Sequence, residues 1–203
     1  PRNCGADRLS GKKGYCGAGA EILVARAALH MWEDPCISGS EGSGAVFFSG
    51  CNLGCVFCQN YQISAGHFGR DIPVERLAEI FLELQEQKAN NINLVTGGHY
   101  IPQIVRALDL VRGKLHIPVV YNSSGYETVE ALRMLKGYVD VYLPDLKYRS
   151  PERGARYSHA PDYFAVASKA ILEMFDQVGP VQFDGRGMIQ KGLIVRHMVM
   201  PNG

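Results

Sequence analysis

From residue 45 onward, short apolar runs rich in β-branched and aromatic residues alternate with longer amphipathic segments, and this alternation restricts the chain more than any other feature. Runs so short and so apolar suit strands buried on both faces, and the stretches between them are long enough for a helix to return each strand parallel to the last. The expected strands are 45–49, 92–95, 118–122, 139–143 and 193–199. Val74, Leu77, Ala78, Phe81, Leu84 and Lys88 keep a helical period, with Pro73 in the first turn and Ile72 as the cap. Ile101, Ile104, Val105, Leu108 and Val111 form the next stripe. Thr128 caps a helix that runs over 128–136 and stops at Gly137, and another is expected over 162–178. Consecutive units of this kind form an open parallel sheet or close into a barrel, and in both the chemistry collects at the carboxyl ends of the strands.

The polar motifs fall at those ends. Cys51 to Cys58 follow the first strand, Gly97-Gly98-His99 the second, Asn122-Ser123-Ser124-Gly125 the third and Asp145-Leu146-Lys147 the fourth, while Arg196-His197 lie near the end of the fifth. The first motif, Cys51-Asn52-Leu53-Gly54-Cys55-Val56-Phe57-Cys58, places three thiols in one loop. A structural zinc site closes its tetrahedron with four protein ligands, whereas a reactive metal keeps a position open. The spacing also differs from the C-x2-C-x2-C run of ferredoxins, whose irons are all held by cysteine. A structural metal site and a chance group of thiols remain as the alternatives.

Composition narrows the rest. The chain has 203 residues, 46% of them hydrophobic and 20% charged, enough for one substantial core. A formal charge of +1, with scattered Lys and Arg, gives no electrostatic case for nucleic acid or an anionic membrane surface. No stretch approaches the ~20 apolar residues of a membrane span, and no signal peptide is visible. Six cysteines, three of them clustered, read as metal chemistry in a reducing compartment, so the expected location is the cytoplasm. The opening at Pro1-Arg2-Asn3-Cys4 and the closing Met200-Pro201-Asn202-Gly203 both read as cut ends.

The C-x3-C-x-aromatic-C order of Cys51, Cys55, Phe57 and Cys58 resembles the signature of the radical S-adenosylmethionine (radical SAM) superfamily. Within it, residues 44–203 look most like the pyruvate formate-lyase activating enzyme group. That likeness rests on Phe48-Ser49-Gly50-Cys51-Asn52-Leu53, Cys58-Gln59-Asn60-Tyr61, Asp145-Leu146-Lys147 and Arg196-His197-Met198-Val199-Met200-Pro201. The resemblance implies an α/β fold of the partial (β/α)6, TIM-like barrel type with its last unit truncated, preceded by an N-terminal extension over 1–43. It implies a [4Fe-4S] cluster on Cys51, Cys55 and Cys58, with S-adenosylmethionine on the remaining iron. It further implies reductive cleavage to a 5′-deoxyadenosyl radical that abstracts hydrogen, an electron donor of flavodoxin or ferredoxin type, and a glycyl-radical enzyme as partner. An iron-sulfur electron carrier or structural metal protein without cleavage, and a radical enzyme acting on a small molecule or peptide, stay open.

Further roles follow from the same resemblance. In the superfamily a Gly-Gly-Glu at the end of the second strand binds the amino group of S-adenosylmethionine; here Gly97 and Gly98 are present and the third residue is His99. Phe57 matches the aromatic position that packs on adenine. Asp145 and Lys147, two residues apart and so on one face of a continuing strand, match an Asp-x-Lys beside the cofactor carboxylate. Asn122 and Ser123 stand where activating enzymes carry an Asp-Thr pair, and Arg196 could anchor a carboxylate or ribose oxygen or pair with Asp145. Gln59, Asn60 and Tyr61 are expected to brace the loop. Cys4 and Cys16 match the last cysteines of an N-terminal motif resembling a second metal site, and Cys36 reads as a buried thiol.

Overall fold

The computed structural model describes residues 2–199; Pro1 and residues 200–203, with the closing turn expected there, lie outside the described residues. A single-turn 3-10 helix, Arg8–Ser10, is followed by β1 (Ile22–His30), α1 (Pro35–Ser38), β2 (Ser43–Phe48), α2 (Tyr61–Ser64), β3 (Arg70–Ile72) and α3 (Val74–Glu86). The chain continues through β4 (Ile92–Val95), a 3-10 turn (Gly98–Tyr100), α4 (Ile101–Leu110), β5 (Val119–Ser123), α5 (Val129–Arg133) and β6 (Val141–Pro144). It ends in α6 (Pro151–Ser158), α7 (Tyr163–Val178), β7 (Gln182–Phe183) and β8 (Ile189–Leu193).

All eight strands form one sheet in the order β3-β1-β2-β4-β5-β6-β8-β7. The series β2, β4, β5, β6 and β8 is parallel throughout, as the alternating pattern requires. At one edge, β1 runs antiparallel to both β2 and β3, and at the other β7 runs antiparallel to β8. The fold is therefore mixed α/β.

Both faces of the parallel strands are buried, and different partners bury them. Val46, Phe48, Ile92, Leu94, Tyr121 and Tyr142 pack with Leu77, Phe81 and Leu84 of α3 and Ile101, Ile104 and Leu108 of α4. Each large side chain so removed from water contributes roughly 1.5–3 kcal/mol before conformational costs. The opposite face, with Val120, Val141 and Leu143, is filled by Ile37 of α1 and Ile189 of β8. Burial on two sides explains why these strands read as unbroken apolar runs.

The expected fifth strand over 193–199 is placed too late. Regular β structure begins at Ile189 and ends at Leu193, and Arg196 joins the sheet only through an isolated parallel bridge to Asp145. Pairing with the β6 segment still carries on through Ile194 N–H to the Tyr142 carbonyl at 3.0 Å and Arg196 N–H to the Pro144 carbonyl at 2.9 Å. Pro73 is the cap of α3 rather than a residue of its first turn, because Arg70–Ile72 is extended and pairs with β1.

Candidate active site

The loop after β2 is pinned at several points. Gly50 has φ 88°, and a side chain there would put Cβ 2.5 Å from the Cys16 carbonyl, so both backbone twist and close approach demand glycine. Val56 N–H donates to the Tyr157 carbonyl of α6 at 2.9 Å, and Asn52 Nδ2 donates to the Tyr126 carbonyl at 2.5 Å. Arg2 Nε donates to the Asn52 carbonyl at 2.7 Å. Cys51, Cys55 and Cys58 are free thiols of intermediate exposure. Each sulfur has a polar neighbour: Leu53 N–H at 3.4 Å from Cys51 Sγ, Ser158 Oγ at 2.9 Å from Cys55 Sγ and Ser64 Oγ at 3.3 Å from Cys58 Sγ.

Burial pushes the Cys51 thiol up to about 12, and burial also raises Cys55 against the opposing Ser158 hydroxyl. Both are therefore neutral at pH 7, and binding a metal would release their protons. Among the described residues no three His, Cys, Asp or Glu side chains are grouped as ligands of a single ion. A cubic cluster is held differently, each cysteine on its own iron. Three free thiols in one loop, each with a polar neighbour, fit such a cluster.

Gly97, Gly98 and His99 follow β4; Gly98 and His99 border a cavity of about 370 Å³ that Arg8, Asn52, Glu127 and Thr128 also line, whereas a Cβ on Gly97 would meet Ile104 and Phe48 of the core. His99 Nε2 lies 2.8 Å from the Ser49 carbonyl, which can only accept, so Nε2 carries the proton and Nδ1 is the free acceptor. Burial lowers His99 to about 4, with nearby Arg8 and His67 adding to the shift. The imidazole is neutral. Ser123 Oγ donates at 3.1 Å to Oε2 of Glu127, and Ser123 itself does not line the cavity.

Asn122, Asp145, Lys147 and Arg196 meet in a second polar group. Lys147 Nζ is 2.6 Å from Asp145 Oδ2, and Arg196 Nε is 3.2 Å from Asp145 Oδ1. Arg196 Nη2 donates to Asn122 Oδ1 at 2.6 Å. A residue unsuspected from sequence completes the group: Glu33 Oε2 is 3.3 Å from Arg196 Nη1, and its Oε1 accepts from Asn122 Nδ2 at 3.0 Å. Glu33 comes from the connection between β1 and α1, and nothing local marks it. Glu127 was also missed, although an acid just past the glycine turn of β5 was a usable signal.

Other expected residues sit elsewhere. Phe57 packs edge-on to Tyr148 and Tyr157, at ring distances of 6.4 and 6.5 Å, within a small apolar cluster that also holds Leu53 and Tyr163. Gln59, Asn60 and Tyr61 are exposed and show no side-chain hydrogen bond among the described residues; Ser64 and Ser158 brace the sulfurs instead, because the chain turns outward into α2. Cys4 is exposed, with its thiol lowered chiefly by backbone N–H groups of Tyr15 and Ala6, while buried Cys16 accepts from Arg8 Nη2 at 3.3 Å. Cys36 is partly buried beside a cavity of about 400 Å³ lined by Glu41, Arg186 and Met188, which contains none of the cluster-loop residues.

A mixed α/β sheet thus carries a three-cysteine loop at the end of its first parallel strand and glycine-rich and charged motifs at the next strand ends. The profile of the Radical SAM superfamily matches residues 45–181, and the chain belongs to that superfamily. Members typically use a [4Fe-4S] cluster and S-adenosylmethionine. The chain is also 34% identical over 199 residues to Uncharacterized protein MJ0674 of Methanocaldococcus jannaschii, an alignment covering 94% of this chain and 53% of that protein. It thus spans about half the length of the curated relative it matches. No helix among the described residues is long and apolar enough to cross a membrane.

Proposed function

We propose that the protein is a radical SAM enzyme of the kind that activates a glycyl-radical partner, holding a [4Fe-4S] cluster on Cys51, Cys55 and Cys58. The observation that carries this reading is the single loop of three free, polar-contacted thiols at the carboxyl end of β2. The parallel series β2, β4, β5, β6 and β8 is read as five units of a partial (β/α)6 barrel. When bound, cluster and S-adenosylmethionine together supply one-electron cleavage of a sulfonium to methionine and a 5′-deoxyadenosyl radical.

The chain's own residues bind and orient. Lys147, paired with Asp145, offers a cation to the methionine carboxylate, and Arg196 offers a planar fork beside it. Gly97 and Gly98 let the ligand reach bare backbone, and Phe57 with its tyrosine neighbours stiffens the cluster loop from behind. With a cluster bound, the Leu53 N–H and the Ser64 and Ser158 hydroxyls, now beside the cysteine sulfurs, would donate to those sulfurs and so would tune its potential. An acidic one-electron carrier of flavodoxin or ferredoxin type is the proposed reductant, and the cytoplasm the proposed location.

Anaerobic reconstitution with iron and sulfide, reduction with dithionite and chromatography of the nucleoside products test the reading. Wild type should yield 5′-deoxyadenosine, and Cys51→Ala, Cys55→Ala and Cys58→Ala should each yield none above background. A cluster that forms normally yet never cleaves S-adenosylmethionine would assign the protein to electron transfer instead.

A further inference from the structure

A carboxylate shut away from water needs either a proton or a cation. Glu127, in the connection between β5 and α5, is only 5% exposed, and its one hydrogen bond among the described residues comes from Ser123 Oγ to Oε2 at 3.1 Å. No described lysine, arginine or histidine lies within ion-pair distance of it. Beside it is the Tyr121 hydroxyl, wholly buried and without a hydrogen-bond partner. Both groups close on Gly98: a Cβ there would stand 3.0 Å from Tyr121 Oη and 3.3 Å from Glu127 Oε1. Glu127, Gly98 and His99 share the wall of the 370 Å³ cavity.

The corner thus holds a carboxylate whose Oε1 has no hydrogen bond among the described residues, an unpartnered Tyr121 hydroxyl and the bare backbone of Gly98. An anion that only accepts hydrogen bonds is best met by a donor that is also positive, and an ammonium is the compact choice. His99 cannot serve, being neutral with its one N–H committed to Ser49. Burial lifts the Glu127 carboxyl to about 7, with the Asp145 charge adding to the rise and the Ser123 hydroxyl opposing it, so its protonated and ionised forms are close in free energy at neutral pH.

We propose that Glu127 supplies, from the loop after β5, the anionic acceptor for the α-ammonium of S-adenosylmethionine that this chain lacks at position 99. The assignment rests on the function proposed above. It makes Glu127 a cofactor-binding residue and leaves His99 as the group that positions Ser49 and the cluster loop beside Gly98.

The test measures binding by equilibrium dialysis to cluster-loaded protein kept oxidised, so that affinity is read without turnover. The ligands are S-adenosylmethionine and its deamino analogue, in which hydrogen replaces the amino group. Glu127→Gln should weaken S-adenosylmethionine roughly 10- to 100-fold, the loss of one charge-assisted hydrogen bond. The deamino analogue should bind wild type and variant equally, and Glu127→Asp, which keeps the charge, should recover part of the lost affinity. Equal affinity of wild type and Glu127→Gln for S-adenosylmethionine would overturn the assignment and leave the function standing. Equal weakening of both ligands would also overturn it, in favour of a purely structural carboxyl. Failure of the loaded wild type to bind S-adenosylmethionine at all would remove the proposed function together with this assignment.

Discussion

His99 and Glu127 face one cavity with opposite dependence on acidity. His99 ordinarily titrates near 6.5 and is lowered to about 4 in the fold, so below pH 6.5 the unfolded chain takes up a proton that the folded chain refuses. Its contribution to stability is complete above pH 6.5 and falls as the pH drops toward 4. Glu127 ordinarily titrates near 4.5 and is raised to about 7, so between those values the folded chain holds a proton that the unfolded chain has lost. Its contribution falls as the pH rises through that window. The two slopes oppose each other between pH 4.5 and 6.5. Glu127→Gln should therefore gain stability relative to wild type as pH rises across this window, by roughly 1 kcal/mol per pH unit, and His99→Gln should lose it by a similar amount. Urea unfolding midpoints at pH 4.5, 5.5 and 6.5 measure both, and parallel curves for wild type and variants would contradict the burial of these groups.

Elements differ in how much of their form lies in the local sequence. Ile92–Val95 and Ile101–Leu110 coincide with the strand and helix expected from their periods, because a buried strand and an amphipathic helix each carry their own signal. Thr128 also acts as its position suggests: its Oγ1 accepts from Ala131 N–H at 3.2 Å at the start of α5. Thr128→Ala should cost about 1 kcal/mol and Thr128→Ser much less, read as shifts in the urea midpoint at constant slope. Four strands, β1, β3, β7 and β8, had no such signal, and the two longer ones show why. β1 contains Ala25, Ala27 and Ala28, poor strand formers, and becomes a strand by pairing on one side with β2 and on the other with β3. β8 contains Gln190, Lys191 and Gly192 and is fixed by β6 and by β7, so the apolar run just after it looked the better candidate. Propensity lost to tertiary pairing in both.

For the molecule as a whole, cluster binding and folding are coupled. The three cysteines join a loop held by Tyr126 and Tyr157 to Arg2, so filling it ties the N-terminal segment, β2 and α6 together. A ligand present at a thousandfold its Kd stabilises by about 4 kcal/mol, which for a chain of this size is on the order of 10 °C in Tm. Reconstitution with iron and sulfide should raise the anaerobic melting temperature by that order, and chelation of the iron should reverse the gain. The Cys51→Ala, Cys55→Ala, Cys58→Ala triple variant should show no shift; an equal shift in that variant would place the metal elsewhere.

By itself the sequence determined the first four parallel strands, β2, β4, β5 and β6, and the strand ends that bear Cys51, Gly97, Asn122 and Asp145, because hydrophobic period and motif spacing act over a few residues. The family followed from the same short-range information, in the spacing of Cys51, Cys55 and Cys58. Only the tertiary structure decided which groups complete the candidate site. Glu33 reaches Asn122 across 89 positions and Arg196 across 163, and Glu127 meets Gly98 only because β4 and β5 lie side by side. Those encounters arise from the order of strands in the sheet, which no local spacing encodes, and removing the charges from water is costly unless each meets a partner that the linear chain leaves far away.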